Sequence, residues 1–191
     1  MKDEEIRQEK NRLRREIKER IKRLSPEYCK EADRQILEQV MKLEAYRQAE
    51  TVFLFVGSFG EPDTTPLIQR ALDEGKRVCV PKCLDECQMK AFEIQGMEQL
   101  RQGRYGILEP ADICPEIDRT EIDFALIPCV TCDEKGNRLG HGKGYYDRYM
   151  EGANFISCMV CRRNLTVKEV PTTIYDIRPD IWITDEVGHV T

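Results

Sequence analysis

The residues between 136 and 148 combine types that can bind phosphate. They read Gly-Asn-Arg-Leu-Gly-His-Gly-Lys-Gly-Tyr-Tyr-Asp-Arg, so that glycines alternate at positions 140, 142 and 144. Backbone N–H groups exposed by such glycines, together with the first turn of a following helix, can surround phosphate oxygens. Arg138 and Lys143 add positive charge. The glycine spacing alone leaves two equal alternatives, phosphate binding and a plain mobile loop.

This segment fits neither of two common phosphate-binding patterns. A P-loop requires a leading glycine and a Ser or Thr after its lysine, but Asn137 and Gly144 stand at those positions. The dinucleotide fingerprint requires a third glycine, and Tyr145 replaces it. If phosphate binds here, it binds in a different arrangement.

The Tyr-Tyr-Asp-Arg run that ends the segment favours ligand binding over a plain loop. Tyr145 and Tyr146 offer two ring faces for a flat heterocycle. Asp147 offers a carboxylate for a metal ion, and Arg148 offers a guanidinium for an anion. All four side chains fall within one turn of a predicted helix.

A second pair of cations lies near the start of the chain. Lys10 and Arg14 are four residues apart, so on a helix both project from one face. Such a pair suits a polyphosphate. Without other information, a solvated basic face is the simpler alternative.

Two further carboxylates lie in predicted loops. Glu61 belongs to the loop Gly-Ser-Phe-Gly-Glu-Pro-Asp that directly follows a buried strand, where open α/β sheets place ligand-binding loops. It could accept hydrogen bonds from the amino and ring N–H edge of a pterin, although a turn acid before a helix cap is an equal alternative. Asp176, taken by itself, is a structural or surface acid.

The elements that must position these residues follow from hydrophobic periodicity. An amphipathic stripe predicts a first helix, and Ser25-Pro26-Glu27 is a start signal for a second helix that we expect to run to about Gln48. The chain is thus predicted to begin with a helical pair. The stripe consists of Ile6, Leu13, Ile17, Ile21 and Leu24.

The rest of the chain alternates between strands and short helices. This alternation predicts one α/β domain over residues 1–191, a three-layer sandwich with a mostly parallel central sheet. Predicted strands cover residues 51–56, 77–81, 89–94, 124–130, 155–161 and 181–184, predicted helices begin near residues 65, 97 and 145, and a loop spans residues 105–110.

Composition excludes several classes of protein. The 191 residues are 40% hydrophobic and 34% charged, as in ordinary globular domains. No apolar run approaches the roughly 20 residues of a membrane span, and no apolar signal region follows the charged amino terminus, so we expect a cytoplasmic protein. The net charge of −5 argues against a general nucleic-acid binder.

The nine cysteines raise a zinc hypothesis, because two Cys-x-x-Cys pairs occur at 129/132 and 158/161. Both pairs fall in strand-like runs, where residues three apart point to opposite faces of the sheet. Neither pair has a glycine that would allow a turn between its cysteines. We therefore expect reduced thiols, mostly buried as small hydrophobes.

Taken together, these motifs resemble the 5-formyltetrahydrofolate cyclo-ligase family, also called 5,10-methenyltetrahydrofolate synthetase, an enzyme family of one-carbon metabolism. The resemblance rests on residues 10–14, the Gly-Glu-Pro-Asp-Thr of 60–64, the Gly-Ile-Leu-Glu-Pro of 106–110 and the segment 138–148. It implies a monomeric ligase that uses ATP and Mg²⁺ to cyclise 5-formyltetrahydrofolate to 5,10-methenyltetrahydrofolate through a phosphorylated formyl oxygen, releasing ADP and phosphate.

The resemblance also implies roles for individual residues. The metal ligands would be Asp147 and Asp176, and the folate pocket would include Arg14, Val56, Glu61 and Tyr146. The catalytic residues would be Lys10, Arg14, Tyr146 and Arg148. ATP would contact Lys10, Arg14, Arg138, Leu139, Gly140, His141, Gly142, Lys143, Gly144, Tyr145 and Tyr146. Two alternatives stay open: an ATP-dependent kinase or ligase acting on another flat heterocycle, and a nucleic-acid or regulatory module using the basic first helix.

Overall fold

The structure is a computed structural model that describes residues 3–85, 88–103, 106–186 and the backbone of residues 188–190. Cys87, one of the expected reduced thiols, and Tyr105, at the start of a predicted loop, lie outside the described residues. The helices are α1 (Asp3–Ile21), α2 (Pro26–Lys42), α3 (Glu44–Gln48), α4 (Thr65–Asp73) and α5 (Tyr145–Met150). The strands are β1 (Thr51–Leu54), β2 (Arg77–Cys83), β3 (Met89–Ile94), β4 (Leu100–Gln102), β5 (Leu108–Pro110), β6 (Glu116–Ile117), β7 (Phe124–Ile127), β8 (Thr131–Cys132), β9 (Arg138–Leu139), β10 (Ile156–Val160), β11 (Ile181–Ile183) and β12 (Gly188–Val190).

A central sheet organises the molecule. Its strand order is β12-β11-β10-β7-β1-β2-β3-β6. The five inner strands from β11 to β2 pair in parallel, with Val52 opposite Phe124 and Phe53 opposite Ala125 where β1 meets β7. The outer strands pair antiparallel. The predicted mostly parallel sheet is therefore confirmed, with antiparallel strands at both edges.

Side chains alternate along the inner strands and divide the core in two. In β1, Val52 and Leu54 face one hydrophobic cluster, whereas Phe53 faces the other. Helices α2 and α4 cover the first face of the sheet, and α1 and α5 cover the second. This arrangement confirms the predicted three layers. Each fully buried Leu, Ile or Phe contributes about 1.5–3 kcal/mol of hydrophobic stabilisation.

The two amino-terminal helices lie on opposite faces of the sheet. Leu13 and Ile17 of α1 pack in one cluster, and Ile36 and Val40 of α2 pack in the other. The oxygen cap predicted at Ser25 is present, since its side chain accepts a hydrogen bond from the Tyr28 N–H. The predicted helical pair is thus two consecutive helices separated by the sheet, which leaves α1 free to face the loops on its own side.

Several details of the prediction were wrong, including the loop predicted at residues 105–110, of which Leu108–Pro110 form β5. The second helix does not run unbroken to Gln48, because Leu43 is extended and separates α2 from α3. The predicted helix after residue 97 is a single 3₁₀ turn, Met97–Gln99, followed by β4, which pairs with β5. The predicted strand 124–130 ends at Ile127. In each case the local hydrophobic pattern did not specify where the backbone turns.

The geometric argument about Cys129 and Cys132 was also wrong. The chain leaves β7 at Ile127 and turns before β8, so these two cysteines do not lie on one continuous strand. Their Sγ atoms lie within 4.8 Å of each other and of the Cys161 Sγ.

Within the described part of the chain, no helix has the length and apolar character required to cross a membrane.

Candidate active site

The candidate site lies where loops leave the sheet on the α1 side. Because β1 and β7 are parallel neighbours, the segments that follow them emerge at the same edge. The first is the β1 loop (residues 57–63). The second runs through the β8–β9 hairpin into the glycine loop (residues 140–144), which ends where α5 begins.

Arg14 joins α1 to the glycine loop. Its Nε donates to the Gly140 carbonyl at 2.8 Å, and its Nη1 donates to the Asn11 side chain at 2.7 Å. A Cβ at Gly142 would lie 3.2 Å from the Arg14 Cζ, and Gly142 has φ +100°, so a larger residue would be strained there. Burial lowers the pKa of Arg14, while nearby Asp176 opposes that shift. The cation is therefore held in a partly dry position against the loop backbone.

Lys10, one turn earlier on α1, contacts Asp176. Its Nζ lies 2.6 Å from both carboxylate oxygens of Asp176, and both side chains are mostly buried. Asp176 Oδ2 also accepts hydrogen bonds from the backbone N–H and the hydroxyl of Thr173. Burial acts to raise the pKa of Asp176, but Lys10 and Thr173 outweigh it and hold that pKa below the usual range. Lys10 is thus not part of a solvated basic face.

Arg138 and Asp147 form a second pair. The Arg138 Nη2 donates to Asp147 Oδ2 at 2.8 Å, and its Nη1 donates to the Pro128 carbonyl at 3.1 Å. The Arg138 Nε is buried without a hydrogen-bond partner among the described residues. The other Asp147 oxygen accepts the backbone N–H of Ile177, so Asp147 contacts the residue that follows Asp176. The two predicted metal ligands therefore come from adjoining segments.

Glu61 is buried in the β1 loop and contacts the glycine loop. Its Oε2 accepts hydrogen bonds from the backbone N–H and hydroxyl of Ser58 at 2.9 and 2.7 Å, and its Oε1 lies 2.9 Å from His141 Nε2. The Glu61 side chain is 7% exposed, whereas that of His141 is 59% exposed. Burial acts to raise the pKa of Glu61, but the bonds from His141 and Ser58 outweigh it and hold the pKa below its ordinary value.

Tyr146 lies between these groups. Burial, reinforced by the charge of Glu61, raises the pKa of its phenol well above the ordinary value. Its ring makes an edge contact with Phe53, with centroids 6.3 Å apart, and lies 5.9 Å from the Arg138 guanidinium carbon. Val56, two residues beyond the end of β1, is buried in the core cluster on the α2 and α4 side of the sheet. Tyr146 is therefore a neutral hydroxyl in a dry environment beside a carboxylate.

The start of α5 shapes the end of the glycine loop. Gly144 has φ +67° at the N-cap, a left-handed conformation that suits glycine. Arg148 Nη2 donates to the Lys143 carbonyl at 2.8 Å, and its guanidinium lies 5.7 Å from the Tyr145 ring. The Tyr145 hydroxyl in turn donates to the Asp85 carbonyl at 2.6 Å. Arg148 and Tyr145 therefore also support the loop backbone.

The structure brings most of the predicted site residues together. Contacts link α1 to the glycine loop, the glycine loop to the β1 loop, and α5 to the segment around residue 176. Leu139 is an exception, because its side chain is buried in the core. Its backbone carbonyl accepts a hydrogen bond from the Val130 N–H.

Sequence reasoning missed the pair that fixes the β1 loop. Arg162 binds Asp33 of α2 through two hydrogen bonds of 2.7 and 2.9 Å, and both side chains are buried. The same guanidinium donates to the carbonyls of Gly60 and Glu61, and Asp33 accepts from the Asp63 N–H. No local pattern signals this pair, because its members lie 129 positions apart.

Comparisons with known proteins agree with the motifs. The sequence profile of the 5-formyltetrahydrofolate cyclo-ligase family matches residues 6–185. The chain is 30% identical over 194 residues to a Schizosaccharomyces pombe protein described as a probable 5-formyltetrahydrofolate cyclo-ligase, covering 93% of this chain and 95% of that protein. It is 32% identical over 138 residues to the Escherichia coli 5-formyltetrahydrofolate cyclo-ligase, covering 71% of this chain and 76% of the relative.

Solved structures give the same result for the fold. The NMR structure of Aquifex aeolicus 5,10-methenyltetrahydrofolate synthetase matches with a TM-score of 0.84 at 27% identity, covering 95% of this chain and 92% of that chain. A 5,10-methenyltetrahydrofolate synthetase from Mycoplasma pneumoniae shares the fold with a TM-score of 0.74 at 22% identity, covering 92% of this chain and 98% of that chain.

Proposed function

Because the chain belongs to the 5-formyltetrahydrofolate cyclo-ligase family, we propose that α1, the glycine loop and the β1 loop together form its active site. The chain is an ATP-dependent ligase that cyclises 5-formyltetrahydrofolate to 5,10-methenyltetrahydrofolate and releases ADP and phosphate. The observation that carries the site assignment is one set of contacts: the glycine loop touches both Arg14 and Glu61.

The reaction requires activation of a formamide oxygen, which is a poor leaving group. Transfer of the γ-phosphoryl group from ATP to that oxygen makes the formyl carbon electrophilic. N10 of the folate then attacks the carbon and loses its proton, and the former formyl oxygen leaves as phosphate. Such a sequence asks the protein mainly for alignment and charge neutralisation. No cysteine or serine is required as a nucleophile.

The proposed ATP site consists of Lys10, Arg14 and residues 138–146. Backbone N–H groups of the glycine loop and the two α1 cations would neutralise the triphosphate. Because Lys10 already contacts Asp176 and Arg14 contacts Gly140, these side chains are held in place before ATP binds. Arg148, which supports the Lys143 backbone, would keep the loop in its binding shape.

The proposed folate site consists of Val56, Glu61, Tyr146 and Arg14. The Glu61 carboxylate is ionised in a dry environment, which suits the N–H edge of a pterin. His141 now contacts one Glu61 oxygen, so the bound pterin would take over that position. The neutral Tyr146 hydroxyl would donate to the folate rather than accept a proton from it.

The residues present fit a magnesium ion. Mg²⁺ prefers oxygen ligands and usually binds proteins through one or two carboxylates, completing its shell with water and substrate phosphates. Asp147 and Asp176 provide two carboxylates from adjoining segments, each now paired with a cation. A bound Mg²⁺ would neutralise and orient the triphosphate. The partners Arg138 and Lys10 hold both carboxylates oriented in the meantime.

The direct experiment combines purified protein with ATP, Mg²⁺ and 5-formyltetrahydrofolate and follows the absorbance of the methenyl product. We expect product in stoichiometric amount with ADP, and loss of turnover with EDTA that excess Mg²⁺ restores. Absence of product at micromolar enzyme would contradict the function. Turnover unaffected by EDTA would contradict the metal assignment alone. Gel filtration and cell fractionation check the remaining expectation of a cytoplasmic monomer.

A further inference from the structure

Three cysteine side chains meet in the interior near the carboxyl ends of β7 and β10. The Sγ atoms of Cys129, Cys132 and Cys161 all lie within 4.8 Å of one another. The three residues are 4%, 0% and 2% exposed. Two of the thiols lie within hydrogen-bonding distance of backbone carbonyls, Cys129 of Val160 at 3.4 Å and Cys161 of Arg162 at 3.5 Å. All three are reduced in this structure.

Sheet topology explains why the three meet. Cys129 follows the carboxyl end of β7, and Cys161 follows the carboxyl end of β10. These strands are parallel neighbours, so their ends lie side by side. The turn after β7 then returns Cys132 to the same point at the start of the β8–β9 hairpin. The cluster therefore contains members of both Cys-x-x-Cys pairs, and Cys158 is left out.

This geometry matches a thiolate metal site. With metal–sulfur bonds of about 2.3 Å, tetrahedral or trigonal coordination separates the sulfurs by roughly 3.8–4.0 Å, which lies within the observed limit. Soft sulfur ligands select thiophilic ions such as Cu(I) and Zn(II). Among the described residues, three ligand atoms meet here. A structural zinc site normally has four ligands. Because the cluster is buried, a water molecule is disfavoured as the fourth ligand.

We propose that Cys129, Cys132 and Cys161 bind one soft, thiophilic d¹⁰ metal ion through three sulfur atoms. The alternative is that the three thiols pack as small hydrophobes, as buried cysteines commonly do. That alternative explains why the three thiols are buried. It does not explain why three sulfur atoms, from the ends of two strands and from a hairpin, meet at one point. The proposal is independent of the folate reaction, because the three cysteines lie outside the set proposed to hold ATP, folate and magnesium.

The position of the cluster gives the ion a structural role. Cys132 pairs with Arg138 across the β8–β9 hairpin, and Arg138 holds Asp147. The Cys132 carbonyl also accepts the Val167 N–H. A metal ion at the three sulfurs would thus fix the base of the hairpin that carries the glycine loop. We expect the loaded protein to be more stable to heat, without a requirement for the ion in turnover.

The test uses full-length protein, reduced and stripped of metal with a chelator, and titrates it with Cd²⁺. We expect one equivalent to bind, with ultraviolet sulfur-to-metal charge-transfer absorption and a rise in melting temperature. X-ray absorption of the loaded protein should show three sulfur neighbours. Failure to bind one equivalent, or a first shell dominated by nitrogen or oxygen, would overturn the proposal. So would recovery of the protein with two of these cysteines joined as a disulfide.

Single substitutions localise the site. Cys132→Ser and Cys161→Ser should each weaken Cd²⁺ binding at least about 100-fold, because a hard hydroxyl replaces a soft ligand. Cys114→Ser is the matched control, since Cys114 is also buried but lies outside the cluster. Equal binding by Cys132→Ser, or equal loss in Cys114→Ser, would contradict the three-sulfur site. If the cluster variants do not fold, the sulfur count in the wild type decides the question.

Discussion

Two regions of this molecule use the same kind of ion pair for different purposes. Beneath the β1 loop, Asp33 and Arg162 are buried and satisfied by each other and by the backbone of residues 60, 61 and 63. In the candidate active site, Lys10 pairs with Asp176, and Arg138 pairs with Asp147. The Arg138 Nε lacks a partner among the described residues.

The difference lies in what a ligand could do to each pair. The Asp33–Arg162 pair offers no site for a ligand, and separating it would leave a charge in a dry environment. Asp147 and Asp176 are about 20% exposed, more than Asp33 at 12%, and their cationic partners can be shared with phosphate. We infer that the first pair stabilises the fold, whereas the Lys10–Asp176 and Arg138–Asp147 pairs keep binding groups oriented.

The largest effect should follow from breaking the buried pair. Arg162→Met leaves the Asp33 carboxylate buried without its partner, and we expect the free energy of unfolding to fall by about 3–5 kcal/mol, as measured by urea denaturation. Adding Asp33→Leu should recover only part of that loss, because it removes the unpaired charge but leaves the Asp63 N–H and the carbonyls of residues 60 and 61 without these partners.

The control for this prediction is Arg77→Met. Arg77 pairs with Glu93 and Glu121 at the surface, so its loss should change the free energy of unfolding by less than about 1 kcal/mol. If Arg162→Met were no more destabilising than Arg77→Met, the distinction between the two kinds of pair would fail.

The next largest effect concerns a carboxylate of the candidate active site. Asp147→Asn keeps one acceptor oxygen, for either Arg138 or the Ile177 N–H, and removes the negative charge. We therefore expect kcat to fall about 100-fold or more if that charge holds the metal. The free energy of unfolding should fall by much less than in Arg162→Met. The control is Glu151→Gln, at the exposed end of the same helix. Near-normal turnover of Asp147→Asn with unchanged Mg²⁺ dependence would contradict the assignment.

Lys10→Ala should have an intermediate effect, limited to the KM for ATP. Losing one charged hydrogen bond costs about 1.5–3 kcal/mol, which corresponds to a roughly 10- to 150-fold increase in the KM for ATP. Lys18→Ala, on an exposed position of α1, is the matched control. An unchanged KM in steady-state kinetics would mean that Lys10 serves only to hold Asp176.

His141→Ala should have the smallest effect. The imidazole is mostly exposed, so its contact with Glu61 should contribute less than about 1 kcal/mol to the free energy of unfolding. Because the substitution frees a Glu61 oxygen, we expect the KM for folate to stay within threefold or fall. A large rise in that KM would show that His141 itself contacts the folate.

The same variant gives a test by pH. The folded-state pKa of Glu61 is lowered, so its ionisation stabilises the fold above the ordinary carboxyl pKa, and this contribution is lost as the pH falls through the lowered value. Removing His141 raises the folded-state pKa toward the ordinary value. Acid unfolding, followed by circular dichroism, should therefore begin at a higher pH in His141→Ala than in the wild type. Identical acid transitions would contradict the role of His141.

Local patterns predicted the parts of the site that lie close together in sequence. The glycine loop and Asp147 share one segment with recognisable spacing, and the capping signal at Ser25 is realised. The layers of the fold also followed from strand and helix periodicity. By contrast, Asp176 on its own indicated only a surface acid, and family resemblance alone marked it as a ligand.

The groups that sequence reasoning missed depend on long-range packing. Asp33 and Arg162 meet because α2 packs under the β1 loop, and no periodic signal connects them. Cys129 and Cys132 converge because β7 ends earlier than its apolar run predicts. Periodicity reports which side of an element is buried, but it does not report which distant element supplies the neighbour.

The contact between Lys10 and Asp176 joins positions 166 residues apart, and this has a consequence during synthesis. The α1 segment leaves the ribosome early, whereas the loop that contains Asp176 is among the last parts of the fold to be synthesised. At about 5–20 residues per second, the delay is on the order of 10–30 s. A nascent chain therefore holds Lys10 without its carboxylate partner for that time, although the apolar face of α1 already has Phe53 of β1 to pack against.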